Sequence, residues 1–451
     1  MDRRKTKNEI DEFDAVHAEV LADGMPSWSE RKLKSEFVEE VQSRPGVDKP
    51  FLLITILLLV IGLIMILSAS FSTARYMTGE PLLFFMRQGV FAISGVAIML
   101  LFSRFSVRTI SRWSTHLLLV SIALLVLVLL FGTRINGATR WLGVGGDEMG
   151  FSFQPSEITK VAVILAYAQM ACKFGRARMK TFKYGVVPFV AIAAVIAILL
   201  WRQPHVSAVI IIGTTAAIMM FAGGTRIRFF VMGIAAAALL VAVLILPSII
   251  ANGGDEGAAG GADEAVATQF NFSSMGHWGR RIDTWLDPNS DPLGAGFQTR
   301  QSLNAIGSGG LLGQGLGQSR QKHQYLPEEH NDFIFAIIAE ELGFVGAMLI
   351  LSLFTLLVVR GYWLALHAKN RYSALIVIGI TSLLAIQVFF NVAVVTGAIP
   401  ATGIPLPLFS YGGTALWIQL AQMGVVLAVS REIPLVKQDY DDEDREQENL
   451  A

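Results

Sequence analysis

Apolar runs of membrane-spanning length recur along this chain, at roughly residues 51–70, 84–103, 116–132, 157–172, 184–200, 206–222, 229–250, 333–359, 373–396 and 411–429. About 20 apolar residues cross the hydrocarbon core as a helix, and in lipid every backbone N–H and C=O needs a partner inside the protein. The pattern restricts the fold to an all-α polytopic bundle of about ten transmembrane helices. Composition agrees, with 53% hydrophobic and only 16% charged residues. A formal net charge of +0 leaves no footprint for nucleic acid. The single Cys172 excludes an intramolecular disulfide and any cysteine-based metal site.

Loop charge sets the orientation. One set of loops carries Arg104, Arg108 and Arg112, then Lys173, Arg176, Arg178, Lys180 and Lys183, then Arg226, Arg228, Arg360, Lys369 and Arg371. The other carries only Arg75, Arg87, Arg134, Arg140 and Arg202. The basic set belongs in the cytoplasm, which places both termini there. The same rule resolves the polar break Trp201–His205: basic clusters on both flanks face one compartment, so two crossings separate them. The expected organisation is a cytoplasmic tail over 1–49, a membrane domain over 50–432 and an acidic cytoplasmic tail over 433–451. The loop 251–331 is then external by parity. Residues 1–49 lack the basic-then-apolar pattern of a cleavable signal. Gly253–Ala265 reads as a flexible spacer and the acidic end as a disordered tail.

Three polar sets interrupt the apolar pattern. The largest, Arg281–Asp332, contains Asp283, Asp287, Asp291, Glu328, Glu329 and Asp332. Asp287 and Asp291 each precede proline, a spacing that suits an Asx-turn as well as catalysis. The glycine ribbon Gly307–Gly317 could bring backbone close to a phosphate or form a flexible re-entrant loop. It lacks the GK[ST] that would make it a nucleotide loop. In the second set, Arg134, Arg140 and Trp141 precede FSFQPSEITK, where Ser156 could cap a helix and Glu157 and Lys160 could pair at i, i+3. The third set places Gln387 and Asn391 in an apolar run before TGAIPATGIPLPLFSYGG, suited to interhelical hydrogen bonds or to a ligand.

Five stretches, GATRWLG from Gly137, FSFQPSEITK from Phe151, DPLGAGFQTRQSLNAIGSGGLLGQGLGQS from Asp291, YLPEEHNDFIFAIIAEELG from Tyr325 and TGIPLPLFSYGG from Thr402, resemble the shape, elongation, division and sporulation family of bacterial membrane glycosyltransferases. The resemblance implies ten helices with cytoplasmic termini, and polymerisation of lipid II into glycan strands outside the cytoplasmic membrane. It implies that Asp291 is the catalytic base. It further implies substrate contacts from the matching motifs at Arg140, Glu157, Lys160, Gln298, Lys322, Glu328, His330, Asp332 and Ser410. Arg140, Lys160, Lys322 and the glycine ribbon are the candidates for stabilising the departing pyrophosphate. A Mg2+ or Mn2+ ion could bridge it to Asp291, although the sequence contains no dedicated metal constellation. Implied partners are a class B penicillin-binding protein and other division proteins. The charged N-terminal tail and FSFQPSEITK favour the division branch typified by FtsW over the elongation branch typified by RodA. The chain departs from the family at Gln203-Pro204-His205, where an acidic residue is common. The alternative from another class is a lipid II flippase, which needs no base.

Overall fold

The structure, a computed structural model, describes residues 46–135, 138–144, 151–235, 277–286 and 295–433. Asp287, Asp291, the spacer Gly253–Ala265 and most of both tails lie outside the described residues. The compact unit Val47–Ile433 is helical except for one small sheet. Its helices are α1 (Lys49–Thr78), α2 (Leu83–Phe102), α3 (Val107–Phe131), α4 (Pro155–Met179), α5 (Val187–Arg202), α6 (Val206–Ala222) and α7 (residues 227–235). They continue with α8 (His277–Leu286), α9 (Ala295–Gly309), α10 (Ile334–Leu366), α11 (Arg371–Val395) and α12 (Gly413–Ser430). Among the described residues eight helical segments are long and apolar enough to cross a membrane, and α6, at 17 residues, is shorter. Of the ten runs expected from sequence, nine lie on helices; the run 229–250 is described only to residue 235.

Helix starts follow local chemistry. Asp48 caps α1 by accepting from the Phe51 N–H at 2.9 Å, Ser106 caps α3 through Thr109, and Asn370 caps α11 through Ser373 at 2.8 Å. Capping contacts also gather one end of the bundle. The Arg360 guanidinium donates to Asp48 at 2.5 Å, the Asp48 N–H donates to Ser430 at 3.1 Å, and Arg371 donates to the Gly223 carbonyl at 2.7 Å. Thr225 bonds the Gly185 carbonyl, which sits just before α5, so α5 and α6 run antiparallel and the Trp201–His205 break is a turn between them. The basic loops therefore share this end. An apolar cavity of about 500 Å³ lies between α5, α6 and α7, lined by residues such as Val190, Ala194, Ile212 and Phe230, with no ionisable side chain among the described residues.

The opposite end carries features the apolar pattern did not signal. Strands β1 (Thr133–Ile135), β2 (Ala138–Val144) and β3 (Phe151–Phe153) form an antiparallel sheet in the order β1-β2-β3, with Thr133 opposite Trp141 and Leu142 opposite Phe153. The α10 helix is broken at Gly343, where φ is 68°. There the glycine ribbon splices the break. Gln314 and Gly315 donate to the Glu340 and Glu341 carbonyls at 3.0 Å, while Phe344 and Val345 donate back to Gly310 and Leu311 at 2.9 and 3.1 Å. The backbones touch: a Cβ on Gly343 would lie 2.2 Å from the Gly313 nitrogen, and one on Gly313 2.2 Å from the Glu341 carbonyl oxygen. Four backbone groups around the kink thus have partners, as irregular chain at membrane depth requires. The Gln314 and Gly315 amides, offered by sequence to a phosphate, are spent on the helix.

Candidate active site

The hub of this end is the chain between α11 and α12. Its interior is buried, with Ile404, Leu406, Leu408 and Phe409 almost inaccessible. Side chains satisfy its irregular backbone. Asn391 donates to the Ile404 and Asp332 carbonyls at 2.7 and 2.8 Å, Gln419 accepts from the Leu408 N–H at 2.9 Å, and Ser207 donates to the Thr402 carbonyl. Ser410 accepts from the Leu406 N–H at 2.7 Å and donates to the Asn331 carbonyl at 2.8 Å, so its hydroxyl is committed to the loop. Helix α8 is tied to the same chain: Arg281 donates to the Ala401 carbonyl at 2.5 Å and Trp285 to Gly397 at 2.8 Å. Helix α9 is tied through Ser302, which donates to Val395 at 2.7 Å. The flanks of the segment containing Asp291 are therefore anchored to the end of α11 and to the loop that follows it, and Gln298 lies half-buried on α9.

Around this hub sits a buried charged chamber. Glu157 and Lys160, in the first turns of α4, pair at 2.7 Å with side chains 6% and 4% exposed. Ser156 does not cap the helix; its hydroxyl is buried without a partner among the described residues. Arg140, on β2, donates to the Pro204 carbonyl at 2.5 Å and leaves its Nε buried and without a partner among the described residues. His205 packs beside it, 3.4 Å from Gln154, and its Nδ1 likewise has no partner among the described residues. Burial, with the nearby Arg140 and Lys160 charges, lowers the His205 pKa to about 3, so the imidazole is neutral. Asp332 moves the other way. Burial and the neighbouring Glu328 raise it to about 6, opposed by Arg281, Arg140 and His330. Burial lowers the Arg140 and Arg281 pKa values, and the Arg281 charge lowers Arg140 further.

Beside Asp332, Glu328 accepts from Asn331 at 2.5 Å, and the His330 ring stacks on Phe84 with centroids 5.0 Å apart. Tyr411 packs edge-on against Phe84, and its N–H donates to the His330 carbonyl at 2.9 Å. The structure thus brings Arg140, Glu157, Lys160, Asp332, Glu328 and His330 to one end of the bundle. Lys322 belongs to a separate cluster. Its ammonium pairs with Glu341 at 2.9 Å, and Ser68 donates to the same carboxylate at 2.6 Å. Glu340 beside it accepts from the Arg320 N–H at 2.9 Å and from the Ser319 hydroxyl. With its charge matched and 4% exposed, Lys322 has a structural partner rather than an open face for substrate. Sequence reasoning passed over Arg281, because a lone arginine on a short helix carries no spacing signal.

Spanning helices, a spliced break and a buried ionised chamber at one end define a polytopic membrane protein. A family model described as cell cycle protein, FtsW/RodA/SpoVE, matches residues 49–434, and the chain belongs to that family. It is 40% identical to stage V sporulation protein E of Bacillus subtilis over 387 residues, covering 85% of this chain and 97% of the relative. It is 36% identical to the probable peptidoglycan glycosyltransferase FtsW of Geobacter sulfurreducens over 388 residues, covering 86% and 95%. Among solved structures it is similar to a peptidoglycan synthase complex that coordinates polymerisation and crosslinking, with TM-score 0.67, 27% identity, and 86% and 99% coverage. It is also similar to the rod shape determining protein RodA of Thermus thermophilus, with TM-score 0.59, 26% identity, and 86% and 97% coverage.

Proposed function

We propose that this protein polymerises lipid II into glycan strands at the outer face of the bacterial cytoplasmic membrane, during septal cell division. Family membership along nearly the whole membrane unit carries the reading. Placement of the chamber supports it. The basic loops collect at the Asp48 and Ser430 end, which the positive-inside rule assigns to the cytoplasm together with both termini. The chamber is at the other end, where glycan is made. A transporter places its key groups nearer the midplane, which argues against the flippase.

In the reaction the acceptor sugar's 4-hydroxyl oxygen attacks the donor's anomeric carbon with inversion. The new glycosidic bond forms as the bond to the lipid pyrophosphate breaks, and the hydroxyl proton passes to Asp291 as general base. Charge then grows on the departing pyrophosphate, which calls for cations on the protein. Among the described residues no three His, Cys, Asp or Glu side chains converge on a metal position. Asp291 would be the protein ligand of a Mg2+ or Mn2+ ion, which would supply positive charge against the departing pyrophosphate. The partner we assign is a class B penicillin-binding protein, supported by the similarity to the solved synthase complex. Purified protein given labelled lipid II should yield a glycan ladder on a gel. Movement of lipid II across liposomes with no polymer formed would replace this reading with the flippase.

A further inference from the structure

Sequence offered three cations for the substrate's pyrophosphate, and the structure divides them. Lys160 is neutralised by Glu157 at 2.7 Å and Lys322 by Glu341 at 2.9 Å, with all four side chains almost fully buried. Arg140 remains, and a second guanidinium, that of Arg281, comes in from α8. Among the described residues each is steered by one bond to a backbone carbonyl, Arg140 to Pro204 and Arg281 to Ala401, both at 2.5 Å. Among the described residues neither forms an ion pair within 4.0 Å, and Asp332 is the carboxylate whose charge acts on both. The Arg140 Nε is buried with no partner. The Ser207 hydroxyl bonds the Thr402 carbonyl, so the turn that holds Arg140 and the loop that holds Arg281 meet, and two cations at such a junction are favoured when they share an anion.

We propose that Arg140 and Arg281 form a two-guanidinium receptor for the diphosphate of the lipid-linked substrate, with Asp332 as the resident counter-charge that holds the two cations together. This deepens the glycosyltransferase reading and rests on it for the identity of the ligand. Guanidinium suits the task because its planar fork presents several N–H donors at once and binds phosphate oxygens in pairs, whereas an ammonium acts as a point charge. The neutral His205 imidazole beside Arg140 adds no third positive charge, and its free Nδ1 is available to a phosphate oxygen. Arg281 lies ten residues before Asp291 on the same segment. One short stretch would then present both the group that receives the leaving pyrophosphate and the base that takes the proton.

The test is thermal unfolding of the full-length protein in detergent, titrated with inorganic pyrophosphate, alongside steady-state polymerisation of lipid II. Wild type should show a saturable pyrophosphate-induced rise in Tm. Arg281→Gln and Arg140→Gln should each weaken that binding about tenfold or more, and raise KM for lipid II more than they lower kcat. Arg281→Lys keeps the charge but loses the fork, so it should weaken binding several-fold; it also serves as the reading if Arg281→Gln fails to fold. Arg202→Gln removes an exposed cation at the end of α5 and should change nothing. The receptor is overturned if wild type shows no saturable shift, if the arginine variants bind pyrophosphate as wild type does, or if Arg202→Gln weakens binding equally. The two readings fail separately. Binding through both arginines without glycan synthesis removes the polymerase and leaves the receptor, while a polymerase whose Arg281→Gln form keeps its KM removes the receptor alone.

Discussion

Two buried ionised clusters occupy the same end of this bundle and are built from the same residue types, yet they are finished differently. Around Lys322, Glu341 and Glu340, each carboxylate has several donors and the lysine has its counter-ion. Around Arg140, His205 and Asp332, the Arg140 Nε and the His205 Nδ1 are left without partners among the described residues. A satisfied buried network specifies structure, because changing it only costs stability. A buried network with polar atoms to spare is costly unless something else completes it. Burial and charge alone would have ranked the clusters alike; completeness separates them.

The largest effect that could break this contrast is in the closed cluster. Glu341→Gln or Lys322→Met leaves one buried charge unpaired, at about 3–5 kcal/mol, so each single variant should unfold at clearly lower temperature. Replacing both with an apolar pair should recover much of the loss. Single variants that melt like wild type while losing lipid II binding would move Lys322 into the open cluster.

Next in size is Asp291→Asn, which keeps the side chain's size but removes the base. Glycan synthesis should drop about 10²-fold or more with folding intact, while Asp287→Asn keeps substantial activity. A gel that shows full-length polymer from Asp291→Asn would detach the catalytic role from that position.

The smallest effect sharpens the account of the open cluster. His205 has a folded pKa of about 3, so between the unfolded value near 6.5 and that pKa the unfolded chain binds the extra proton. Its contribution is therefore present above pH 6.5 and declines on acidification, by about 2 kcal/mol at pH 5. Asp332, raised to about 6, holds its proton more firmly when folded. It adds stability as pH falls below 6, about 1 kcal/mol at pH 5 relative to neutral pH. The two trends oppose each other. His205→Gln should become more stable between pH 6.5 and 5, and Asp332→Asn less stable, in Tm measured against pH. Parallel profiles for both variants would refute the opposed pair.

Much of this was legible in advance because lipid imposes one rule on every span. Apolar runs located the helices, and loop charge separated the ends of α5 and α6 across the Trp201–His205 turn. Missed were features set by pairing between segments rather than by hydropathy. The β1-β2-β3 sheet rests on strands of three to seven residues with no period to count. The duty of the glycine ribbon depends on Gly343, which follows Glu340 and Glu341 at the start of a long apolar run and carries no sign of a break. Lys322 and Arg281 look equivalent as isolated cations, and only Glu341 near one and Arg140 near the other tells them apart. For Glu157 and Lys160 the i, i+3 spacing foretold the ion pair, since both partners sit on one helix.

The splice at Gly343 also bears on how the chain is built. As α10 enters the bilayer, the backbone at its break stays unpaired until residues 310–315 lie across it, and each such group costs several kcal/mol in hydrocarbon. Those residues are synthesised before α10, so the patch is ready when the break arrives. Loop and helix are in effect one insertion unit. A chain cut or lengthened between Gly315 and Ile334 would be expected to fail at biogenesis, before any question of catalysis arises.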